Sequence, residues 1–131
     1  MNSIFDKIIS GEIPCHKVYE NDKVLAFLDV KPHAKGHTLV IHKRSGESAL
    51  DYSASELGEV MAGVKAVMEK LKSKLNCEGF NVGWNDGSVA GQVVKHLHIH
   101  VFPRYSGDGG GSVHSIVNSP SNVEEVAELL E

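Results

Sequence analysis

Apolar and polar residues alternate strictly in one stretch of the chain, and this alternation predicts a β-strand. From His96 to Phe102 the sequence reads His-Leu-His-Ile-His-Val-Phe, and a period of two puts alternate side chains on opposite faces of a strand. The three histidines are therefore predicted to share one face, about 6.5–7 Å apart at a rise of about 3.3 Å per residue. Leu97, Ile99 and Val101 would share the other face and pack against a helix.

A second pattern, with apolar residues at three- and four-residue steps, predicts one long helix. Ser53 and Glu56 fit a capping box at its start. Lysines gather toward its end, where the helix dipole favours them, and Asn76 and Gly79 end it. The apolar residues predicted to form its core-facing stripe are Leu57, Val60, Met61, Val64, Val67, Met68, Leu71 and Leu75.

Shorter patterns predict the remaining elements and the fold class. Ser3 begins a short helix that Ser10-Gly11 ends, and residues 121–130 predict a last short helix. Runs of β-branched and apolar residues between turn residues predict five strands, at 17–20, 24–29, 37–42, 80–85 and 93–103. The order helix, three strands, long helix, two strands favours an α+β fold with a mainly antiparallel sheet.

Length, composition and charge limit the possible classes of function. The 131 residues suit a single domain over 1–131, with a core over about 3–105 and a flexible, glycine-rich tail over 106–131. A net charge of -4 without a basic patch argues against binding a nucleic acid polymer. The apolar runs are too short for a membrane span, and the first residues predict no signal peptide. Two distant cysteines, Cys15 and Cys77, favour a reduced, cytoplasmic setting.

Three interpretations of the histidine row follow from its chemistry. The first is nucleophilic catalysis, in which a neutral imidazole attacks an electrophile such as phosphorus while its neighbours fix its tautomer. The second is a metal site, since imidazole binds zinc, although three rings along one strand do not easily reach one ion at about 2.1 Å. The third is a set of surface histidines on an edge strand.

Two neighbouring segments favour the catalytic interpretation. The loop from Asn85 to Gln92 carries Gly87 and Gly91, whose backbone amides can approach an anionic oxygen closely. Asp29, at the end of the second predicted strand, can accept hydrogen bonds from sugar hydroxyls. The row, the loop and the carboxylate together favour chemistry at phosphorus.

Other conspicuous residues are predicted to be structural or exposed. Trp84 is predicted to be a buried residue of the sheet. His16, His33, His42 and His114 have no comparable neighbours in the sequence and are predicted to lie at the surface.

The sequence resembles the histidine triad (HIT) superfamily. The stretch from His96 to Phe102 matches its motif, His-φ-His-φ-His-φ-φ, where φ is apolar. Five further segments resemble the histidine triad nucleotide-binding protein branch, which includes bacterial-type HIT hydrolases: 3–9, 12–14, 24–29, 36–41 and 85–92. The resemblance covers roughly residues 3–105.

This resemblance implies a HIT-like fold in which the five-stranded sheet continues across a homodimer. It implies that the protein binds a purine nucleotide with an AMP or GMP moiety. The implied reaction cleaves the bond to the α-phosphate of nucleoside 5′-phosphoramidates or related nucleotidyl conjugates, through a covalent nucleotidyl-histidine. The alternatives are a dinucleoside polyphosphate hydrolase of the fragile histidine triad type and a nucleotide-binding adaptor with vestigial hydrolysis.

The resemblance also assigns expected roles to residues of this chain. By position in the motif, His98 is the nucleophile, His100 binds a phosphate oxygen or the leaving group, and His96 supports the site. His37, on the adjacent strand, is expected to orient His98 in the correct tautomer. The expected nucleotide-binding residues are Ile4, Phe5, Ile8 and Phe27 at the base, Leu28, Asp29 and Val30 at the ribose, and Asn85, Gly91, Gln92 and Val93 at the phosphate, with Gly91 and Val93 contributing mainly backbone amides.

The chain departs from the family pattern in places that bear on its chemistry. Val93 stands where the family often has a hydroxyl residue, so a side-chain contact to phosphate is lost. Some bacterial members bind structural zinc through an N-terminal Cys-x-x-Cys, but Ser3 and Asp6 occupy those places here. We therefore expect no structural zinc, no metal at the site and no required cofactor. The tail also does not resemble the aromatic-containing C-terminus of animal members.

Overall fold

The structure, a computed structural model that describes residues 3–131, is built on one antiparallel sheet of five strands. The strands are β1 (Lys17–Glu20), β2 (Val24–Leu28), β3 (Thr38–His42), β4 (Gly79–Gly83) and β5 (His98–Arg104), and their order in the sheet is β1-β2-β3-β5-β4. The helices are α1 (Ile4–Ser10), α2 (Ala54–Leu75) and α3 (Val123–Leu129). The predicted α+β class and antiparallel sheet are confirmed.

Capping boxes start both α1 and α2, which confirms that Ser3 begins the first helix and that Ser53 and Glu56 cap the second. Ser3 Oγ accepts a hydrogen bond from the Asp6 amide, and Asp6 Oδ2 accepts one from the Ser3 amide. Ser53 and Glu56 exchange the same pair of bonds at α2. Each box satisfies backbone donors that have no partner within the helix. Asn76, in the left-handed conformation at φ 55°, ends α2 as predicted.

Each face of the sheet carries a cluster of buried apolar side chains. On one face, Leu97, Ile99 and Val101 pack with the buried residues of α2, as their alternation predicts. On the other face, Phe5 of α1 packs with residues of β2 and β3 that include Phe27. The histidines of β5 alternate with the α2-facing residues, so they lie on the face that α1 covers only in part.

Three predictions about exposure are wrong. Met61 is 51% exposed, since it lies on the flank of α2 beyond the stripe that the sheet covers. Trp84 is 44% exposed, because β4 ends at Gly83 and the chain leaves the sheet there. His42 is only 4% exposed, at the inner end of β3, where Glu59 of α2 accepts a hydrogen bond from its ring.

The last two strands are antiparallel neighbours, as predicted, but both are shorter than predicted. Gly83 pairs with His100, and β5 begins at His98 instead of residue 93. The backbone before β5 bonds elsewhere: the Leu97 amide donates to the Gly46 carbonyl at 2.8 Å. Residues 84–97 lie outside the sheet as a loop, and this bond holds the end of that loop.

The chain beyond β5 lies over the surface. Every residue from 106 to 131 is exposed, although α3 and a 3-10 turn at Val113–Ser115 form within this segment. Arg104 holds its start, because its guanidinium binds both carboxylate oxygens of Asp108 at 2.8 Å. The predicted domain extent and the flexibility of this tail stay predictions. None of the described helices has the length and apolar character needed to cross a bilayer.

Gly63 of α2 tests how closely this helix packs on the sheet. A β-carbon at Gly63 would lie 2.8 Å from Cγ1 of Val24 and 3.4 Å from Cγ1 of Val40, and both valines are buried and stiff. We expect Gly63→Ala to lower the free energy of unfolding by about 1–3 kcal/mol in urea denaturation, despite the higher helix propensity of alanine.

Gly58 provides the matched control on the same helix, because a β-carbon there meets nothing within 4 Å. Gly58→Ala should raise the free energy of unfolding by up to about 1 kcal/mol. If both variants were stabilised alike, the close approach of α2 to β2 would be contradicted.

Candidate active site

Two histidines of β5 form the centre of the candidate site. His98 pairs with Ile41 of β3 and His100 pairs with Leu39, so the two imidazoles follow each other on one face of the sheet. Their ring centroids are 5.0 Å apart. Phe5 of α1 lies edge-on against His98, with 5.0 Å between the centroids. Strand alternation therefore places both rings on this face, and the α1 contact packs against the ring of His98.

The tautomer of His98 follows from its hydrogen bond to the backbone. His98 Nδ1 lies 2.7 Å from the carbonyl oxygen of His96. Because a carbonyl only accepts, Nδ1 carries the proton, and in the neutral ring the lone pair is on Nε2. The ring is half-buried, so the structure presents an imidazole whose free nitrogen is suited to attack.

The ring of His96 lies against Phe5, 5.9 Å between centroids, on the same side of the sheet as the ring of His98, but His96 is not part of β5. It precedes β5, where the backbone has left the sheet, and its side chain is 0% exposed. Its Nε2–H donates to the His42 carbonyl at 3.0 Å, whereas Nδ1 has no hydrogen-bond partner among the described residues. Asp6 Oδ1 lies 3.7 Å from that nitrogen. Burial lowers the pKa of His96, which favours the neutral ring.

A short relay fixes the tautomer of His100. The backbone amide of His33 donates to His37 Nδ1 at 3.2 Å, so neutral His37 carries its proton on Nε2. His37 Nε2 lies 3.0 Å from His100 Nδ1 and donates to it. His100 therefore keeps its proton on Nε2, as a donor for a bound group.

Electrostatics keep this pair of rings neutral. Burial is the main cause that lowers the pKa of His100 to about 4, and the nearby His98 and His37 lower it further. Burial also lowers the pKa of His37, although Asp29 opposes the effect. His37 stacks on Phe102 at 4.2 Å between centroids. The expectation that His37 orients His98 is wrong: its bond goes to His100, and the His96 carbonyl sets the tautomer of His98.

The loop before β5 differs in detail from the predicted phosphate site. Gly91 adopts φ 102°, but its amide donates to the Ser88 carbonyl at 3.0 Å and closes a 3-10 turn. The amide that was expected to bind phosphate is therefore engaged within the loop, and the phosphate contact of Gly91 stays a prediction. The Val93 side chain is 85% exposed, and its amide makes no hydrogen bond within residues 3–131. Asn85 is exposed beside Gly91.

Gln92 is buried and holds this loop together. Its Oε1 accepts from the Gly87 amide at 2.8 Å, and its Nε2 donates to the Glu47 carbonyl at 2.8 Å. Both ends of the side chain are thus engaged within the protein. The structure thus shows that Gln92 shapes the loop, and its expected place at the phosphate site stays a prediction.

The residues predicted for the nucleoside differ in how accessible they are. Phe5 and Phe27 are buried against each other at 5.6 Å between centroids, Ile8 is partly buried beside them, and Ile4 is 50% exposed. Leu28 and Asp29 are partly buried at the end of β2, and Val30 is 85% exposed. Among the residues expected to contact the nucleoside, the two phenylalanines are therefore buried, whereas Ile4 and Val30 are exposed to solvent.

Asp29 joins the nucleoside end of the site to the histidines. Its Oδ1 accepts from the Lys31 amide at 2.9 Å, and its Oδ2 lies 3.8 Å from His37 Nδ1. Within residues 3–131, Asp29, His37 and His100 form a group whose possible metal-ligand atoms lie within 4.8 Å of one another. Both nitrogens of His37 already have hydrogen-bond partners, so a metal ion would have to displace one of them.

A groove of about 730 Å³ opens beside His100. Phe102 of β5 and Trp84, just beyond β4, line it together with Val113 and Ile116 of the tail. The sequence pattern did not predict this groove, because it favoured a buried Trp84 in the sheet. The one available signal was Gly83, directly before Trp84, because glycine weakens a strand.

The buried imidazoles predict a specific pH dependence of stability. The pKa of His100 is about 6.5 in the unfolded chain, whereas it is about 4 in the folded protein. Its contribution to stability is therefore complete above pH 6.5 and is lost as the pH falls toward 4. In His100→Gln, the slope of the free energy of unfolding against pH should be smaller in this window, by at most about 1.4 kcal/mol per pH unit.

Urea denaturation at several pH values between 4 and 7 measures this slope. Gly58→Ala, which changes no titratable group, should keep the slope of the wild-type protein. A wild-type slope in His100→Gln would contradict the proposed burial of a neutral ring.

Comparison with known proteins agrees with this geometry. The sequence model of the HIT domain matches residues 10–107. A HIT-like protein of Methanocaldococcus jannaschii is 52% identical over 106 residues, which cover 81% of each chain. An adenosine 5′-monophosphoramidase of Schizosaccharomyces pombe is 36% identical, covering 100% of this chain and 95% of that one.

A solved structure matches the fold along nearly the whole chain. The histidine triad nucleotide-binding protein of Candida albicans superposes with a TM-score of 0.82 at 33% identity, covering 98% of this chain and 92% of that one. The matched domain contains β5 with His98 and His100. The chain therefore belongs to the HIT superfamily, as the motif from His96 to Phe102 predicted.

Proposed function

We propose that this protein binds a purine nucleotide and hydrolyses nucleoside 5′-phosphoramidates or related nucleotidyl conjugates at the α-phosphate. One observation carries the proposal: the His96 carbonyl holds the proton of His98 on Nδ1, which leaves the Nε2 lone pair for attack. The adenosine 5′-monophosphoramidase name of the fission yeast relative supports the phosphoramidate class and an adenine base.

The proposed reaction has two displacements at phosphorus. His98 Nε2 attacks the α-phosphorus in line and forms a P–N bond, while the bond to the leaving amine breaks and the amine departs with a proton. Water then attacks the same phosphorus, the P–N bond to His98 breaks, and the nucleoside monophosphate is released. The water gives up one proton, so atoms and charge balance over the two steps.

His100 supports the charge that develops in both steps. The relay from His37 keeps its proton on Nε2, where it can donate to a phosphate oxygen or to the leaving group. Because the pKa of His100 is about 4, the ring acts as a neutral hydrogen-bond donor around pH 7. Preorganised donors of this kind commonly contribute a large part of a rate enhancement.

The nucleotide would lie across the α1 side of the sheet. Asp29 would accept from the ribose hydroxyls, and Ile4 and Phe5 would contact the base. The exposed amide of Val93 is the better candidate for a backbone bond to phosphate, since that of Gly91 is already engaged. No step of this mechanism uses a metal. We also expect no structural zinc, because Ser3 and Asp6 stand at the places of the zinc-binding cysteines and cap α1 with their side chains.

Replacing the nucleophile tests the proposal directly. His98→Asn should lower kcat for adenosine phosphoramidate by about 10³-fold or more, because no imidazole lone pair remains. AMP binding, measured by calorimetry, should stay within a few-fold of the wild-type protein. His16→Asn, an exposed histidine outside the site, is the matched control and should hydrolyse at the wild-type rate.

The same assay separates the alternative functions. Faster cleavage of diadenosine polyphosphate than of adenosine phosphoramidate would favour the polyphosphate hydrolase. Nucleotide binding without turnover in the wild-type protein would favour the adaptor. Near wild-type turnover by His98→Asn would overturn the assignment of the nucleophile.

The homodimer is also a proposal, supported by the open edge of the sheet. In the described chain β4 pairs only with β5, so its outer edge has unpaired backbone groups. Antiparallel pairing of two β4 strands would continue the sheet. Sedimentation equilibrium should then give twice the 14.2 kDa of one chain, and a monomer at micromolar concentration would contradict the proposal.

A further inference from the structure

The short helix α3 is amphipathic, and its apolar side is exposed to solvent. Val123, Val126 and Leu130 recur at three- and four-residue steps, so they share one side of the helix. These side chains are 76%, 38% and 80% exposed, respectively. Glutamates border the apolar side: Glu124, Glu125, Glu128 and Glu131.

A helix of this length needs a surface to pack on. α3 has seven residues, whereas isolated helices shorter than about 12–15 residues are only marginally stable in water. Asn122 caps it, because its Oδ1 accepts a hydrogen bond from the Glu125 amide at 3.1 Å. One cap does not offset the cost of nucleating a helix, so we expect the stability of α3 to come from burial of its apolar side.

A groove of about 340 Å³ with complementary chemistry lies between the end of α2 and strands β1 and β2. Four apolar side chains line it: Val18, Leu28, Leu71 and Leu75. Lysine side chains also line it, and a lysine can bury its stem along an apolar surface while its ammonium group stays in water. These residues, the groove lysines, are Lys17, Lys35, Lys70 and Lys74.

The groove lysines provide positive charge that the chain itself does not neutralise. Lys17 binds Glu20 at 2.7 Å, but the other three have no carboxylate partner among residues 3–131. Lys70 Nζ donates to the Val18 carbonyl at 2.8 Å, which leaves two of its N–H groups for other acceptors. In a chain of net charge -4, this local positive charge favours an acidic partner.

We propose that α3 of a second copy of this chain docks in this groove, with its apolar side against the apolar lining and its glutamates beside the groove lysines. Within one chain the structure keeps the two apart: no residue of α3 lines the groove, and Arg104 holds the start of the tail at Asp108. Two copies would exchange their α3 helices reciprocally, as a two-fold axis requires. This contact requires neither the proposed hydrolysis nor pairing between β4 strands.

Cross-linking of the full chain with a carbodiimide tests the contact, because this reagent joins a carboxylate to an ammonium group that touches it. Unlabelled and nitrogen-15-labelled chains are mixed in urea in equal amounts and refolded together. We expect mass spectrometry to find peptides that join Glu124 or Glu128 to Lys70 or Lys74. About half of these should combine a light and a heavy chain, since two copies pair at random.

Hydrogen exchange of the α3 amides measures the same contact from the side of the helix. In the wild-type protein, residues 126–130 should exchange at least about 10-fold more slowly than an unstructured chain. Lys70→Glu together with Lys74→Glu should remove this protection, because like charges then face each other. Adding Glu124→Lys and Glu128→Lys to that variant should restore most of the protection.

Lys65→Glu together with Lys72→Glu is the matched control, because both lysines are exposed on α2 but lie outside the groove. This variant has the same change in net charge and should keep the wild-type protection of α3. Urea denaturation establishes that each variant is folded. If the groove variant does not fold, Lys70→Gln together with Lys74→Gln replaces it.

Each other outcome overturns the proposal. Cross-linked peptides of a single isotope would place α3 on its own chain, and absence of any α3 cross-link would leave the groove to a different partner. Unchanged α3 protection in the groove variant would show that α3 does not dock there. An equal loss in the control, or no recovery after the charges are exchanged, would exclude specific ion pairs with the groove lysines.

Discussion

The hydrogen bond from His98 Nδ1 to the His96 carbonyl is the interaction on which the candidate site depends. At 2.7 Å it fixes both the orientation of the ring and the location of its proton. An imidazole free to exchange tautomers would present its lone pair at Nε2 only part of the time. The bond exists because the backbone leaves the sheet just before β5, which frees the carbonyl of His96 from strand pairing.

Burial also determines the charge of the histidines in and around the site. Desolvation lowers the pKa of His37, His96 and His100, because a cation loses more hydration than a neutral ring when it leaves water. Neutral rings can then act as directed donors and acceptors in one relay. The cost is stability in acid, since the unfolded chain takes up protons that the folded chain excludes.

Much of the fold could be predicted from local patterns. The alternation of Leu97, Ile99 and Val101 correctly placed them against the long helix, and Ser53 with Glu56 correctly marked where that helix begins. These signals are local, since a strand period or a capping box is complete within a few residues. The motif around His98 likewise identified the superfamily, because its spacing is specific.

The errors fall where distant segments compete for the same backbone groups. By itself the sequence determined most of the elements, the face of β5 that is apolar and the family to which the histidine motif belongs. Only the tertiary structure decided that the Gly46 carbonyl takes the Leu97 amide, that His96 turns into the interior, and that His37 bonds to His100. The physical reason is that a tautomer depends on which partner lies within about 3 Å of each ring nitrogen, and these partners are brought together only by folding.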